Sequence, residues 1–362
     1  MRCIKTAVRQ TAYSKYQEMD IVKHLTSSTV TRRGFVAGIG AVGASLLAGC
    51  SGQPAGNTTG SAAGSTQVDA SGKATTVNIG TMVTEDFLPG WAAEAKGLFP
   101  ENVKVAITTF QSAQELSTAL TSGDIDMAMT DPQVSASLTA GGTEVQLRWI
   151  TLGATPAQGR FGIQVGPDSA IASAEDLRGA SIGVGSNTVP EYVMDKLLEA
   201  AGIGEGDFQK EEVKKMPVRF QMMTSGQTDA AALPASLLAL GEAQGCKTIV
   251  DDTTGSNLSQ SVMIARAEFA KGDGAEDAIS AVQKGWDAGA KAINDDPEGF
   301  RDLLVEKAQL ADPLKKNYPI SEYPVDAKPT SEMIQPQLDW MLEKGYLKSP
   351  LTFNEETGAF EA

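Results

Sequence analysis

Histidine is almost missing from this sequence: His24 is the single one in 362 residues. It falls within a leader-like segment, so the body of the chain has no imidazole. That absence excludes Ser-His-Asp and Cys-His catalysis, histidine metal sites and most proton shuttling near neutral pH. Cysteine is nearly as scarce, at Cys3, Cys50 and Cys246. Cys3 lies in the leader and Cys50 in an acylation motif, which leaves Cys246 without a partner and the fold without a disulfide framework. In Ala243-Gln244-Gly245-Cys246-Lys247 that cysteine reads as a small buried apolar residue at a helix-to-strand junction. Basic charge is also short, with 30 Lys and Arg against 45 Asp and Glu and a formal net charge of −15. A chain of this sign is repelled by phosphate backbones and anionic headgroups, which argues against nucleic-acid partners. There is no Walker lysine pattern, so the chain is not expected to hydrolyse nucleotides.

What is present starts with an address. Thr31-Arg32-Arg33-Gly34-Phe35 leads into the apolar run Val36–Ala48, which stops at Leu47-Ala48-Gly49-Cys50. The arginine pair, Arg32 and Arg33, reads as a twin-arginine export signal, and the segment ending at Cys50 as a lipobox. The run is too short to cross about 30 Å of hydrocarbon comfortably and lacks a basic stop-transfer cluster. Residues 1–49 are therefore expected to be removed, leaving a lipidated Cys50 outside the cytoplasmic membrane. They take seven basic and two acidic residues with them, so the remainder is more acidic still. Gly38-Ile39-Gly40-Ala41-Val42-Gly43 matches a dinucleotide-binding pattern but lies inside the leader, where the pattern has no strand or helix to serve.

Residues 51–75 are mostly Ser, Gly, Thr, Ala and Gln and read as a flexible tether. The remaining stretch, 76–362, is long enough for two moderate lobes. Strand-like runs at Thr76–Met82, Val103–Thr109 and Ile125–Thr130 alternate with helical patterns at Leu88–Leu98 and Ala113–Thr121. A second series follows at Phe161–Val165, Ser181–Val184, Val189–Ala201, Glu212–Met216, Phe220–Thr224, Asp229–Leu233, Ala235–Ala243 and Lys247–Val250. Such alternation predicts parallel sheets faced by helices, an α/β class. From Glu276 the pattern turns helical, at Ala278–Asn294, Pro297–Ala308 and Met333–Lys344, and these helices are expected to pack on the first lobe.

In open α/β sheets ligands sit beyond the carboxyl ends of the strands, where helix N-termini offer free N–H groups. The loops there bring Thr84, Glu85, Phe87, Ser112, Thr130, Asp131 and Gly153 from the first lobe, and Ser186, Asn187, Thr188 and Pro234 from the second, with Arg160 near the crossover. Each of these Ser, Thr, Asp and Asn residues also suits an ordinary helix cap. Hydroxyls and N–H groups suit an oxyanion, whereas Glu85, Asp86 and Asp131 suit an amine, a protonated heterocycle or a zwitterion. Phe87 and Trp91 are candidates to stack on a ring, although Trp91 within a helix reads first as a core residue. Gly183-Val184-Gly185-Ser186-Asn187-Thr188 lacks the third glycine of a nucleotide fingerprint and favours a small solute at a helix N-terminus.

Three stretches resemble a known family. Ala95-Lys96-Gly97-Leu98-Phe99, Ala119-Leu120-Thr121-Ser122-Gly123-Asp124-Ile125-Asp126-Met127-Ala128 and Asp176-Leu177-Arg178-Gly179 are similar to periplasmic solute-binding proteins, notably the nitrate, sulfonate, taurine and thiamine-pyrimidine binding group. Ser225-Gly226-Gln227-Thr228-Asp229-Ala230-Ala231 looks like a second copy of the middle element. Read physically, Gly97 is a helix C-cap and Ser-Gly-Asp-Ile-Asp a tight turn from helix to buried strand, so both are scaffold signals. The resemblance covers about residues 76–345. It implies a two-lobed type II periplasmic-binding-protein fold with two crossovers, near residues 157–162 and 256–262, and a helical C-terminal segment. Lobe 1 is expected to comprise 76–165 and 256–362, and lobe 2 to comprise 166–255. The implied function is a lipid-anchored monomer, not an enzyme, that delivers a small organic solute to an ABC permease and its ATPase, with no cofactor and no metal. A sensing lipoprotein presenting its ligand to a receptor, and an enzyme on the same fold, are the alternatives.

Overall fold

The computed structural model describes residues 74–362. The export arginines, Cys50 and the tether up to residue 73 lie outside the described residues. The chain runs β1 (Thr75–Met82), α1 (Leu88–Lys96), β2 (Val103–Phe110), α2 (Ala113–Ser122), β3 (Met127–Thr130), α3 (Pro132–Ala140) and β4 (Val145–Leu152). It continues with β5 (Phe161–Val165), β6 (Ser181–Val184), α4 (Val189–Ala200), β7 (Gln209–Glu212), α5 (Met216–Thr224), β8 (Ala230–Pro234), α6 (Ala235–Ala243) and β9 (Lys247–Asp251). Then come β10 (Ser261–Arg266), α7 (Ala267–Ala270), α8 (Ala275–Asp295), α9 (Arg301–Lys307), α10 (Ser331–Glu343) and a terminal hairpin, β11 (Thr352–Phe353) and β12 (Phe360–Glu361).

Two five-stranded sheets result, in the orders β2-β1-β3-β10-β4 and β7-β6-β8-β5-β9. The expectation of purely parallel sheets is corrected at the same place in each. β10 runs antiparallel to β3 and β4, and β5 antiparallel to β8 and β9. Both are the strands on which the chain arrives from the other lobe, and a strand that enters from the hinge side points opposite to those that lead back to it. β5 therefore belongs to the second sheet, and the lobe boundary expected at 165/166 moves ahead of Phe161. The crossovers occupy residues 153–160 and 252–260. β4 and β10 themselves stand outside the predicted series, and Phe220–Thr224 is the second half of helix α5.

The repeated motif shows why its residues are needed. After α2, Gly123 takes φ 81° as C-cap, and Asp126, 2 % exposed, accepts a hydrogen bond from the Asn78 backbone N–H at 2.9 Å and from Asn78 Nδ2 at 3.0 Å. After α5, Asp229 accepts from the Ser181 N–H and hydroxyl, each at 2.8 Å. Both contacts span 48 residues. In each lobe one carboxylate ties the start of a central strand to its neighbour, a positioning job remote from the ligand loops.

The first sheet is covered on one side by α1 and α8, where Phe87, Trp91, Trp149 and Trp286 interlock. These helices approach closely because Gly289 has no side chain; a Cβ there would meet the Pro89 carbonyl oxygen at 2.2 Å. The other side packs α2, α3 and α10, and this cluster runs on into Val189, Tyr192 and Val193 of α4 in the second lobe. The last helix thus contacts both lobes: Trp340 donates to Asp195 at 3.1 Å, Lys344 meets Glu205 at 2.5 Å, and the Tyr346 hydroxyl donates to Glu191 at 2.9 Å.

Candidate interlobe binding site

The carboxyl ends of β1, β2, β3, β6 and β8 converge on a cleft between the two sheets, the position at which open α/β sheets bind ligands. Its inner chamber, of about 140 Å³, is lined from the first lobe by Thr84, Glu85, Asp86, Ser112, Thr130 and Asp131, and from the second by Thr188, Lys214, Arg219 and Pro234. Ser112, Thr188 and Lys214 are shared with an outer chamber of about 470 Å³. Met216, Pro217 and Pro234 are shared with a third, of about 220 Å³, which reaches Leu310 and Leu314.

Local chemistry sets the wall of the first lobe. Ser112 caps α2, its hydroxyl accepting from Glu115 N–H at 3.2 Å. Asp131 caps α3 by accepting from Val134 N–H at 2.9 Å, and its second oxygen accepts from Val189 N–H at 3.3 Å, the first turn of α4 in the other lobe. One carboxylate thus serves two helix N-termini across the cleft, where the N–H groups and helix dipoles favour negative charge. Burial opposes that charge and pushes Asp131 up to about 6 despite those backbone bonds. Glu85, 6 % exposed, receives the Tyr318 hydroxyl on Oε1. Burial, with the neighbouring Asp86 charge, raises it to about 7. Asp86 is raised by burial as well, although the Ser261 hydroxyl bonds it.

On the opposing wall Arg219 is 2 % exposed. Its Nε and Nη2 donate to the Val213 carbonyl at 3.0 and 2.8 Å, and Nη1 donates to the Ala232 carbonyl at 2.8 Å. Burial lowers its pKa to about 10. Asn187 stands in the left-handed region at φ 58° and donates through Nδ2 to Ser137 Oγ of the first lobe at 2.8 Å, so it spans the cleft. Ser186 is bonded to Glu212, and Thr188 donates to the Gly185 carbonyl at 2.7 Å.

Of the residues expected from sequence, the inner chamber gathers Thr84, Glu85, Ser112, Thr130, Asp131, Thr188 and Pro234, and the outer chamber takes Ser186 and Asn187. Three lie elsewhere. Phe87 is 1 % exposed, with its ring edge-on to Trp91 and Trp286 at 5.4 and 5.2 Å, and has no face left to stack on a solute. Arg160 is held by Asp251 at 2.7 Å and Glu242 at 2.8 Å and lines none of the three chambers. Gly153, at φ 83°, belongs to the first crossover and packs on the Ser259 backbone of the second. Sequence reasoning missed Arg219, Lys214 and Ser261. Arg219 was discoverable as a lone charge beside Phe220 and Met223, the buried face of α5. Among the described residues no group of three or more His, Cys, Asp or Glu is close enough to hold a metal ion.

A family model, NMT1/THI5 like, matches residues 84–298, more than half of the chain and both walls of the cleft. The chain belongs to the NMT1/THI5-like family. No curated protein matches this family member in a sequence search. Solved structures match it in fold. The aliphatic sulphonate-binding protein SsuA of Escherichia coli is 19% identical with a TM-score of 0.65, over 76% of this chain and 89% of that one. The alkanesulfonate-binding protein SsuA of Xanthomonas axonopodis pv. citri, bound to MOPS, is 17% identical with a TM-score of 0.62, over 76% and 94%. The desulfurization enzyme DszB, as a C27S mutant with biphenyl-2-sulfinic acid, is 14% identical with a TM-score of 0.56, over 76% and 94%. The family member therefore has the periplasmic-binding-protein fold, which both binding proteins and an enzyme use.

Proposed function

We propose that this protein is an extracytoplasmic, lipid-anchored solute-binding protein that captures a small organic solute between its two lobes and hands it to an ABC permease driven by its ATPase. The observation that carries this reading is the cleft: polar groups from both lobes converge on one chamber, and two crossovers connect those lobes. Binding that bridges the walls favours a closed form, so solute and closure are coupled. The SsuA proteins are described as sulfonate-binding and periplasmic, which supports the same role and location here. Among the described residues no helix is long and apolar enough to cross a membrane, in keeping with an anchor at Cys50. Against an enzyme stands Cys246, which is buried in the second-lobe core with Phe220, Met223 and Leu238 and lines none of the three chambers.

Native mass spectrometry of protein purified without denaturation tests solute capture. A retained small molecule is expected, and a solute at one hundred times its Kd should add about 2.7 kcal/mol to stability. Protein that retains nothing and is stabilised by no member of a broad metabolite screen would count against capture. The anchor has its own test in Cys50→Ala, which is expected to leave a folded, exported protein that takes up no palmitate label; equal labelling of the variant would remove the lipobox assignment.

A further inference from the structure

We propose that the captured solute carries a cationic head, an ammonium or amidinium group, that docks on Glu85, Asp86 and Asp131 and releases a proton to bulk water as it does so, while its polar body lies along the outer chamber. The proposal rests on the solute-capture reading and names the chemistry of the same cleft.

The three carboxylates line one chamber of about 140 Å³. Two other buried carboxylates have a cation of their own, Glu191 with Lys210 at 3.0 Å and Asp126 with Arg266 at 3.6 Å, whereas Asp252 at the second crossover is held by the Phe161 N–H and lies outside the chamber. The cleft carboxylates have only neutral donors, namely the Tyr318 and Ser261 hydroxyls and the Val134 and Val189 amides. Glu85 and Asp86 each use one oxygen, leaving the second to the chamber although Glu85 is 6 % exposed. Thr84 adds a buried hydroxyl oxygen with no partner among the described residues. Unmade bonds at buried acceptors are costly, and a donor-rich cationic head would satisfy them. Among the described residues no group of three or more His, Cys, Asp or Glu is placed to hold a metal ion, which favours an organic cation with several N–H groups.

Two tyrosines and two cations face the triad, and neither cation is paired with it. Tyr318 and Tyr323, from the segment after α9, hydrogen-bond the Glu85 carboxylate and carbonyl and are held protonated by burial. Arg219 directs three N–H bonds to the Val213 and Ala232 carbonyls and pairs with no triad carboxylate. Lys214 stands at the junction of the inner and outer chambers and, among the described residues, is the only charged one lining the outer chamber. The outer chamber otherwise offers hydroxyls and amides, among them Ser117, Ser137, Thr143, Ser186 and Asn187, and no carboxylate. A cation is thus attracted inward and a neutral polar body is accommodated outward. Buried carboxylates that share one chamber, feel one another's charge and have no paired cation do not all ionise readily in the absence of solute. The arriving cation supplies the missing charge, and the displaced proton leaves with solvent. Burial pushes Glu85 to about 7 and Asp131 to about 6, which puts the exchange near neutral pH.

The test uses the full chain and a charge-matched probe set: ethanolamine and acetamidine as cations, glycolate and ethanesulfonate as anions, and ethylene glycol as the neutral member. Thermal shift and calorimetry are run at pH 6 and pH 8, in pairs of buffers with different ionisation enthalpies. The cations should stabilise the protein and bind about tenfold more tightly at pH 8 than at pH 6, with proton release visible in the buffer dependence of the heat. Glu85→Gln and Asp86→Asn should each weaken cation binding about tenfold and flatten its pH dependence. Preference for the anions, or cation binding that ignores both pH and the two substitutions, overturns the proposal. The native mass-spectrometry result separates the two levels: a retained anion leaves solute capture standing and removes the cationic head, a retained amine supports both, and silence from every probe with nothing retained removes both. Because the charge and pH series on the unmodified protein stand alone, a variant that fails to fold does not block the outcome.

Discussion

Gly153→Ala should cost the protein about 2–5 kcal/mol, more than an exposed-loop substitution usually does. Gly153 holds φ 83° in the first crossover, and an added Cβ would lie 1.8 Å from the Ser259 carbonyl oxygen of the second. Two penalties add: left-handed backbone for a residue with a side chain, and a collision with backbone that has nowhere to retreat. The Asn257 side chain also donates to the Gly153 carbonyl at 2.9 Å, so the two crossovers are stitched at this point and moving one pulls the other. Urea unfolding measures the loss. Because the contact joins the two connections between lobes, the variant should also bind the retained solute more weakly. A variant with unchanged stability would mean that the crossovers are not packed in this way. As a contrast, Gly97→Ala, at φ 63° with nothing within 4 Å of the added Cβ, should pay only the backbone term of about 1 kcal/mol.

Solute-free protein should lose stability as pH rises from about 5 to 8, the reverse of the usual carboxylate trend. Glu85 is raised from its ordinary 4.5 to about 7 and Asp131 from 3.8 to about 6, in both cases chiefly by burial. A carboxyl whose pKa is higher folded than unfolded binds its proton more tightly in the fold. Its full contribution is present below the unfolded pKa and disappears as pH climbs through the folded one. At about 1.4 kcal/mol for each pKa unit, the combined loss is on the order of several kcal/mol. Asp252, buried at the second crossover and also near 6, contributes in the same window. Denaturant midpoints at pH 5.5, 6.5 and 8 measure the slope. Glu85→Gln should remove most of the part between pH 6 and 8, because the amide keeps the shape and has no charge to desolvate. A midpoint that rises steadily to pH 8 would show that these carboxyls ionise freely in the fold and that burial does not hold them protonated.

Much of the scaffold was legible because it is written in local signals. Ser112 and Asp131 are the caps their positions suggested. Gly97 and Gly123 end helices in the left-handed conformation that glycine tolerates. The two Gly-x-x-Asp elements lead from a helix into a buried strand in each lobe, as their sequences indicate. Most of the residues expected in the loops beyond the strand ends line the chambers between the two sheets.

Other features depend on partners far away in sequence. Val145–Leu152 alternates buried and half-buried positions at its start, yet its pairing with Ser261–Arg266 joins residues more than a hundred positions apart. No local pattern gives the direction of β10 or places β5 in the second sheet. Phe87 and Glu85 are two residues apart in one helical turn, and the packing of α8 decided that the ring went to the core while the carboxylate faced the cleft. Arg160 looked free until Glu242 and Asp251 arrived from 82 and 91 residues away. Arg219 carries a charge on the buried face of α5, and the carbonyls of Val213 and Ala232 that satisfy it come from the neighbouring loop and strand. The sequence by itself determined the elements, their caps and the loops that meet, because hydrophobic period and turn chemistry act over a few residues. Only the tertiary structure decided which charges are neutralised and which are left facing the cleft, because that depends on desolvation and on partners the fold brings from elsewhere in the chain.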